Sequence, residues 1–162
     1  PGLQGGPHDH QTAAIAVALR EASQPSFKDY GAQIVKNAQA LAGELMRLGY
    51  TLVTGGTDNH LIVVDLTSKG LSGKQAQDVL DGAGVTVKRN TIPYDPRPPY
   101  NPSGIRMGTP ALTTRGMKEA EMRTIAGWID QLLLSKGDER TAARVRGAIH
   151  DLTAQFPVPG IE

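Results

Sequence analysis

Apolar residues at intervals of three and four positions predict the longest helix of this chain. The residues that follow this spacing are Tyr30, Ile34, Ala38, Leu41, Leu45 and Leu48. Such a spacing places them on one helical face. Gly49 comes next, where a left-handed residue commonly ends a helix. A preceding helix is expected from about His8 to Ala22, and residues 23–26 break it because they include a proline.

The segments that follow this helix predict strands. Residues 50–54 and 60–66 favour two strands, and the glycine-containing segment 55–59 between them predicts a hairpin. A third strand is expected at residues 85–89, and residues 104–108 form a short fourth strand with glycine at both ends. Ser72 and Gln75 are spaced as a capping box, which predicts a short helix that ends near Asp81.

A proline-rich segment separates the third and fourth strands. Residues 91–103 contain five of the 11 prolines, which excludes a helix or a central strand. A long loop inside a compact domain is usually functional. Helix is expected to resume after Thr114, and Asp138 is the predicted N-cap of a last helix. These elements predict an α/β fold with three or four mostly antiparallel strands and helices packed on one face.

Composition narrows the functional class. The chain of 162 residues is 39% hydrophobic and contains no cysteine, so it is globular and has no disulfide, thiolate nucleophile or cysteine zinc site. A net charge of +1 provides no broad surface for nucleic acid. No apolar run is long enough for a membrane span, and we expect a cytoplasmic protein. Because the chain begins at Pro1 without a methionine, we expect a segment of a longer protein.

Arg106 is the strongest candidate for ligand binding on local pattern. It lies in the short strand between Gly104 and Gly108, directly after the proline-rich loop. Its guanidinium pairs bidentately with a carboxylate or a phosphate, and the flanking glycines leave room for a ligand. The alternative, an arginine of an edge strand that reaches into water, remains open.

Two further patterns lie near the start of the chain. Gly5 and Gly6 precede a predicted helix, and such a loop can bind an anion through its backbone N–H groups, although it is commonly only a turn. His8 and His10 could ligate a metal, but residues two apart point to different sides of a helix. We therefore predict a polar helix start there and no metal site.

Read together, five segments resemble serine hydroxymethyltransferase, a pyridoxal-phosphate enzyme that interconverts serine and glycine with tetrahydrofolate. The segments are PGLQGGPHDH, KNAQALAGEL, TGGTDNHLIVVDL, VKRNTIPYDPRPPYNPSGIRMGTPALTTRG and a final pair of helices. They cover essentially the whole chain and match the C-terminal portion of the family. The resemblance implies the small C-terminal domain of a fold-type I pyridoxal-phosphate enzyme.

The resemblance also implies roles for single residues. Arg106 matches the arginine that binds the substrate carboxylate, and Gly5 and Gly6 match glycines that approach the cofactor phosphate of the neighbouring subunit. Asn90 matches the asparagine that contacts the pterin of folate.

The loop before the arginine also lines the folate site in the family, and it matches Pro98, Pro99 and Tyr100. The family often has Ser-Pro-Phe there. Pro98 departs from that pattern and lacks the hydroxyl of a serine.

The same resemblance implies what lies outside the chain. The family's Schiff-base lysine belongs upstream, and none of the seven lysines here has its context. No catalytic residue is therefore expected in this segment, which should be inactive alone. Residues 1–22 are expected to belong to or pack on the missing large domain, and residues 23–162 to form the small domain. The full-length protein is expected to be a homodimer or a dimer of dimers.

Two other interpretations remain. A free-standing α/β module that binds a small carboxylate or a partner protein would explain the missing lysine, but it leaves the glycine loop without a role. Another pyridoxal-phosphate enzyme of the same fold type would also carry a carboxylate-binding arginine. The folate-loop segment argues against that enzyme.

Overall fold

The computed structural model describes residues 2–161. Within that range the chain forms six α-helices and four β-strands. In chain order they are α1 (Asp9–Ala22), α2 (Pro25–Arg47), β1 (Thr51–Leu52), β2 (Leu61–Asp65), α3 (Gly73–Gly82), β3 (Lys88–Asn90), β4 (Gly104–Gly108), α4 (Pro110–Thr114), α5 (Glu119–Leu134) and α6 (Glu139–Gln155). The chain divides into two compact units, one up to Ala32 and one from Gln33 onward.

The first unit contains α1 and the beginning of α2. Pro25 is the first residue of α2. At this position the N–H that proline lacks would have no partner within the helix, and the fixed φ of proline suits the helix. α1 has no buried residue, although residues 13–19 are all apolar. Ile15 and Leu19 are 60% and 66% exposed. The rings of Phe27 and Tyr30 lie 5.6 Å apart at the start of α2.

The second unit is built around a four-stranded sheet with the order β1-β2-β4-β3. Each strand pairing is antiparallel, and the sheet is open. β4 is therefore an internal strand, paired with β2 on one side and with β3 on the other. The predicted α/β class, the strand count and the antiparallel pairing are confirmed.

Alternation along the strands separates a core face from an open face. Ile62 and Val64 of β2 lie opposite Met107 and Ile105 of β4, and all four side chains are buried. Successive strand residues point to opposite faces, so the residues between them lie on the other face. The buried helix residues that complete this core include Leu41, Leu45, Leu80, Met122, Ile129 and Val145.

Several predicted helix ends are confirmed by their hydrogen bonds. The Ser72 hydroxyl accepts from the Gln75 N–H at 3.2 Å, and the Gln75 side chain accepts from the Ser72 N–H at 2.9 Å. Asp138 accepts from the Thr141 N–H at the start of α6. Gly49 has φ +81° after the end of α2, as the left-handed cap requires.

Three element boundaries differ from the sequence prediction. β1 contains only Thr51 and Leu52. β3 begins at Lys88 because the Val85 N–H is bonded to the Leu80 carbonyl oxygen at the end of α3. Helix resumes earlier than expected, in the short α4, which was too brief for its periodicity to be visible.

Candidate functional site

Arg106 lies in the middle of β4, on the open face of the sheet. Its side chain is exposed, whereas its chain neighbours Ile105 and Met107 are buried. Val63 of β2 and Lys88 of β3 lie directly opposite it in the two registers. The interpretation of an edge-strand arginine is wrong, because β4 is an internal strand.

The guanidinium of Arg106 has no acceptor within the described residues. By contrast, Arg115, Arg144 and Arg146 each donate to a protein oxygen. The ion pairs found among residues 2–161 involve other side chains. Arg106 thus offers its full set of donors to whatever reaches the open face.

The two glycines beside Arg106 are required by the packing of the protein itself. A Cβ on Gly104 would lie 2.7 Å from the Val64 carbonyl oxygen and 2.8 Å from a methyl carbon of Ile92. A Cβ on Gly108 would lie 3.0 Å from the His60 carbonyl oxygen. The expectation that the flanking glycines leave room for a ligand is wrong at Gly104, which is buried among protein atoms, whereas Gly108 is exposed.

Asn90 shares the open face with Arg106. It lies opposite Gly104 at the end of β3, so its side chain and that of Arg106 are diagonal neighbours. Its amide nitrogen donates to the Thr91 carbonyl oxygen at 2.7 Å. Within residues 2–161 no donor reaches its side-chain oxygen, which leaves an acceptor beside the arginine.

The proline-rich loop carries the other candidates. Pro98, Pro99 and Tyr100 are exposed, and the Tyr100 side chain is 73% exposed. The Asn101 N–H bonds to the Pro98 carbonyl oxygen at 2.9 Å, which makes these residues the tip of a turn. Since the loop joins β3 to β4, it connects Asn90 directly to the strand of Arg106.

Asp95 organises this loop, and the sequence interpretation missed it. Its carboxylate accepts from the N–H groups of Ile92, Arg97 and Ser103 and from the Ser103 hydroxyl, at 2.7–3.2 Å. Burial raises the pKa of Asp95, but these hydrogen bonds outweigh it and lower the pKa to about 2. The hydrogen bond from the Arg97 N–H, two residues further on, forms a turn that is typical of aspartate. This turn pattern was the one signal in the sequence that could have indicated the role of Asp95.

A buried polar network holds the chain directly after β4. The Thr109 hydroxyl donates to the Ile34 carbonyl oxygen at 2.9 Å. The Asn37 amide donates to the Thr113 hydroxyl and to the Met117 carbonyl oxygen, both at 2.9 Å. Asn37 and Thr109 are fully buried. These bonds fix the exit of the strand that carries Arg106 against α2.

Gly5 and Gly6 belong to the first unit. They lie in an exposed loop before α1, and a Cβ on either glycine would meet no atom within 4 Å. His8 occupies the N-cap position of α1 without a capping side-chain bond. The backbone of this loop is therefore open to solvent.

Comparison with known proteins identifies the family. A sequence model described as serine hydroxymethyltransferase matches residues 1–129. The serine hydroxymethyltransferase of Acidothermus cellulolyticus is 59% identical over 168 aligned positions, which cover 100% of this chain and 39% of that protein. The serine hydroxymethyltransferase of Sorangium cellulosum is 53% identical over 161 aligned positions, which cover 99% of this chain and 38% of that protein. The chain belongs to the serine hydroxymethyltransferase family.

The match is to part of each relative's length. This chain spans 39% and 38% of the two serine hydroxymethyltransferases that it resembles. The matched residues 1–129 include the glycine loop, both strands that carry Asn90 and Arg106, and the loop between them. The sequence resemblance to this family is confirmed.

Among residues 2–161, no three histidine or carboxylate side chains lie close enough together to hold a metal ion. No helix of the described range has the length and apolar character needed to cross a membrane. A cavity of about 620 Å³ lies under the 55–59 turn and includes Val63, the residue opposite Arg106.

Proposed function

We propose that this chain is the C-terminal part of a pyridoxal-phosphate-dependent hydroxymethyltransferase that interconverts serine and glycine with tetrahydrofolate. Membership of the family supports this activity for the whole protein. The observation that carries the role of this segment is the Arg106 guanidinium, which is exposed on an internal strand and has no acceptor among the described residues.

Arg106 binds the carboxylate of the amino acid. The planar guanidinium donates two parallel hydrogen bonds to a carboxylate, which fixes the rotation of the substrate as well as its position. Pyridoxal phosphate, when bound, supplies an electron sink for the bonds of the amino acid's α-carbon. The bond that breaks must be held in a defined orientation, so a bidentate anchor contributes to the rate through geometry.

Gly5 and Gly6 fit a phosphate of the cofactor. Their backbone is exposed, and no atom lies within 4 Å of either Cβ position, so an anion has access to the N–H groups. The carboxylate of Asp9 lies in the first turn of α1 and disfavours an anion there. The contact with the phosphate is therefore assigned to the two glycines. The phosphate is that of the cofactor bound to the neighbouring subunit of a homodimer.

Asn90, Pro98, Pro99 and Tyr100 form part of the folate site. The Asn90 side-chain oxygen accepts from the pterin, since it has no donor within residues 2–161. The two prolines and the exposed ring of Tyr100 offer an apolar surface for an aromatic ligand. Pro98 contributes by packing alone because it has neither a hydroxyl nor an N–H.

The first 22 residues belong with the large domain that this chain does not contain, and residues 23–162 form the small domain. α1 supports this division, because residues 13–19 are apolar around the whole helix and yet exposed. A helix that is apolar on all sides is normally buried. The remainder of the subunit, or its partner in a homodimer or a dimer of dimers, covers α1.

The test is the Arg106→Lys substitution in the full-length protein. Lysine keeps the charge but loses the bidentate fork, so we expect kcat/KM for serine to fall about a hundredfold. Arg144→Lys is the matched control, since Arg144 is exposed on α6 and donates to Gln131. A value of kcat/KM near normal in the Arg106→Lys protein would remove this residue from the site.

A second measurement tests whether the segment is inactive alone. The 17.2 kDa chain is mixed with pyridoxal phosphate, and its mass and visible absorption are recorded. We expect no absorption band of protein-bound cofactor and no cleavage of serine. Either signal from a species of that mass would contradict the assignment of the cofactor-binding lysine to another part of the protein.

A further inference from the structure

The carboxylate of Asp95 connects three parts of the loop between β3 and β4. Oδ2 accepts from the Ile92 N–H at 3.2 Å and from the Ser103 N–H at 2.9 Å. Oδ1 accepts from the Arg97 N–H at 2.9 Å and from the Ser103 hydroxyl at 2.7 Å. One side chain thereby ties the beginning, the middle and the end of the loop together.

The residue at the far end of this connection is itself fixed in the core. Ser103 is fully buried, and its carbonyl oxygen accepts from the Leu66 N–H at 3.0 Å. The carbonyl oxygen of the preceding Pro102 accepts from the Gly73 N–H at 2.6 Å. Asp95 therefore anchors the loop to a point that the N–H groups of Leu66 and Gly73 hold in place.

The backbone beside Asp95 needs such an anchor. Tyr94 has φ +55°, a left-handed conformation that is unfavourable for a tyrosine, and its side chain is fully exposed. A residue stays in such a conformation only when its surroundings impose it. The Asp95 hydrogen bonds on either side of this position supply that constraint, because the tyrosine ring has nothing to pack against.

Only a carboxylate satisfies all four donors. An ionised carboxylate is an acceptor at both oxygens, whereas an asparagine amide has one acceptor oxygen and a nitrogen that donates. In either orientation of its amide, asparagine at position 95 would turn its NH₂ toward at least one of the three backbone N–H groups. The Ser103 N–H is buried, so water cannot replace an acceptor that is lost there.

We infer that Asp95 is a positioning residue that holds the folate-facing turn in its binding geometry. This inference rests on the proposed function. The turn formed by Pro98, Pro99 and Tyr100 lies between Arg97 and Ser103, two of the residues that Asp95 fixes. Arg106 is held differently, through the pairing of β4 with β2 and β3. Loss of Asp95 therefore displaces the folate contacts more than the carboxylate anchor.

The experiment compares KM values for the two substrates in the full-length holoenzyme. We expect Asp95→Asn to raise KM for tetrahydrofolate about tenfold and to change KM for serine less than about twofold, because the loop moves and the strand does not. Ser103→Ala, which removes the hydroxyl donor alone, should raise KM for tetrahydrofolate about threefold. This milder variant still tests the inference if Asp95→Asn does not fold.

Asp138→Ala is the matched control for a general loss of stability. It removes a carboxylate that accepts from a backbone N–H at 2.9 Å, at the start of α6 and outside the loop. We expect a lower Tm with both KM values unchanged. An inactive unsubstituted holoenzyme would overturn the proposed function and this inference with it. An active holoenzyme in which Asp95→Asn and Ser103→Ala leave KM for tetrahydrofolate unchanged, or raise both KM values equally, would overturn this inference alone.

Discussion

Lys88 of β3 lies directly opposite Arg106 of β4 in the antiparallel register. Both side chains are exposed on the open face of the sheet, and strand alternation points them the same way. Like charges in directly opposed positions destabilise a sheet. The protein therefore maintains two adjacent cations at the site where we propose that a substrate carboxylate binds.

Removal of the lysine charge should stabilise the fold. We expect Lys88→Thr to raise the free energy of unfolding by about 0.2–1 kcal/mol at low salt, because it ends the repulsion and threonine favours strands. Urea unfolding at two salt concentrations measures the effect, which should shrink as the Debye length falls from about 10 Å at 0.1 M to about 3 Å at 1 M. Lys88→Arg keeps the charge and serves as the control. Equal stabilisation by both variants would show that charge is not the cause.

The contact between Gly73 and Gly104 predicts a strict requirement for glycine. A Cβ on Gly73 would overlap the Gly104 carbonyl oxygen, a backbone atom of the strand that carries Arg106. We expect Gly73→Ala to lower the free energy of unfolding by more than about 2 kcal/mol, as measured by chemical denaturation. Gly43 is the matched control, because it lies inside α2 with no atom within 4 Å of its Cβ position. Gly43→Ala should stabilise the helix by about 0.5–1 kcal/mol.

The buried amide of Asn37 predicts a second large effect on stability. Asn37→Ala leaves the Met117 carbonyl oxygen without its donor and opens a cavity beside Thr113. We expect a loss of more than about 2 kcal/mol in the free energy of unfolding. Gln131→Ala removes an exposed amide that bonds Arg144, and should change stability by less than about 0.5 kcal/mol. Similar values for the two variants would mean that water replaces the Asn37 bonds.

Local pattern was enough to predict the strand of Arg106 but not its neighbours. The spacing of two glycines around an arginine indicated a short strand, and β4 has those bounds. Its internal position could not be predicted, because strand order depends on pairings between segments far apart in sequence. The packing role of Gly104 could not be predicted for the same reason, since the atoms that crowd it belong to β2 and to Ile92.

Polar residues of the core were the hardest features to predict. Asn37 lies between Lys36 and the buried Ala38 in α2, so the pattern does not distinguish it from a surface residue. Its burial depends on Thr113, 76 positions further along the chain. Asp95 carried a recognisable turn signal toward Arg97, but its bonds to Ser103 close a loop that residue spacing does not reveal.

The pKa of Asp95 predicts how its contribution to stability depends on pH. The folded-state pKa is lowered from 3.8 to about 2 by hydrogen bonds that outweigh the effect of burial. A carboxyl group whose pKa is lower in the folded state stabilises the protein fully above its unfolded-state value. The stabilisation is lost as the pH falls through the folded-state value, because both states are then protonated.

The measurement is the difference in free energy of unfolding between the unsubstituted protein and Asp95→Asn, recorded from pH 6 to pH 2. We expect this difference to be constant above about pH 5 and to shrink between about pH 4 and pH 2. Comparison with a variant removes the contributions of other carboxyl groups with lowered pKa values, such as Asp138 and Glu119. A difference that stays constant down to pH 2 would mean that the charge of Asp95 contributes nothing to holding the loop. Its role would then rest on shape alone.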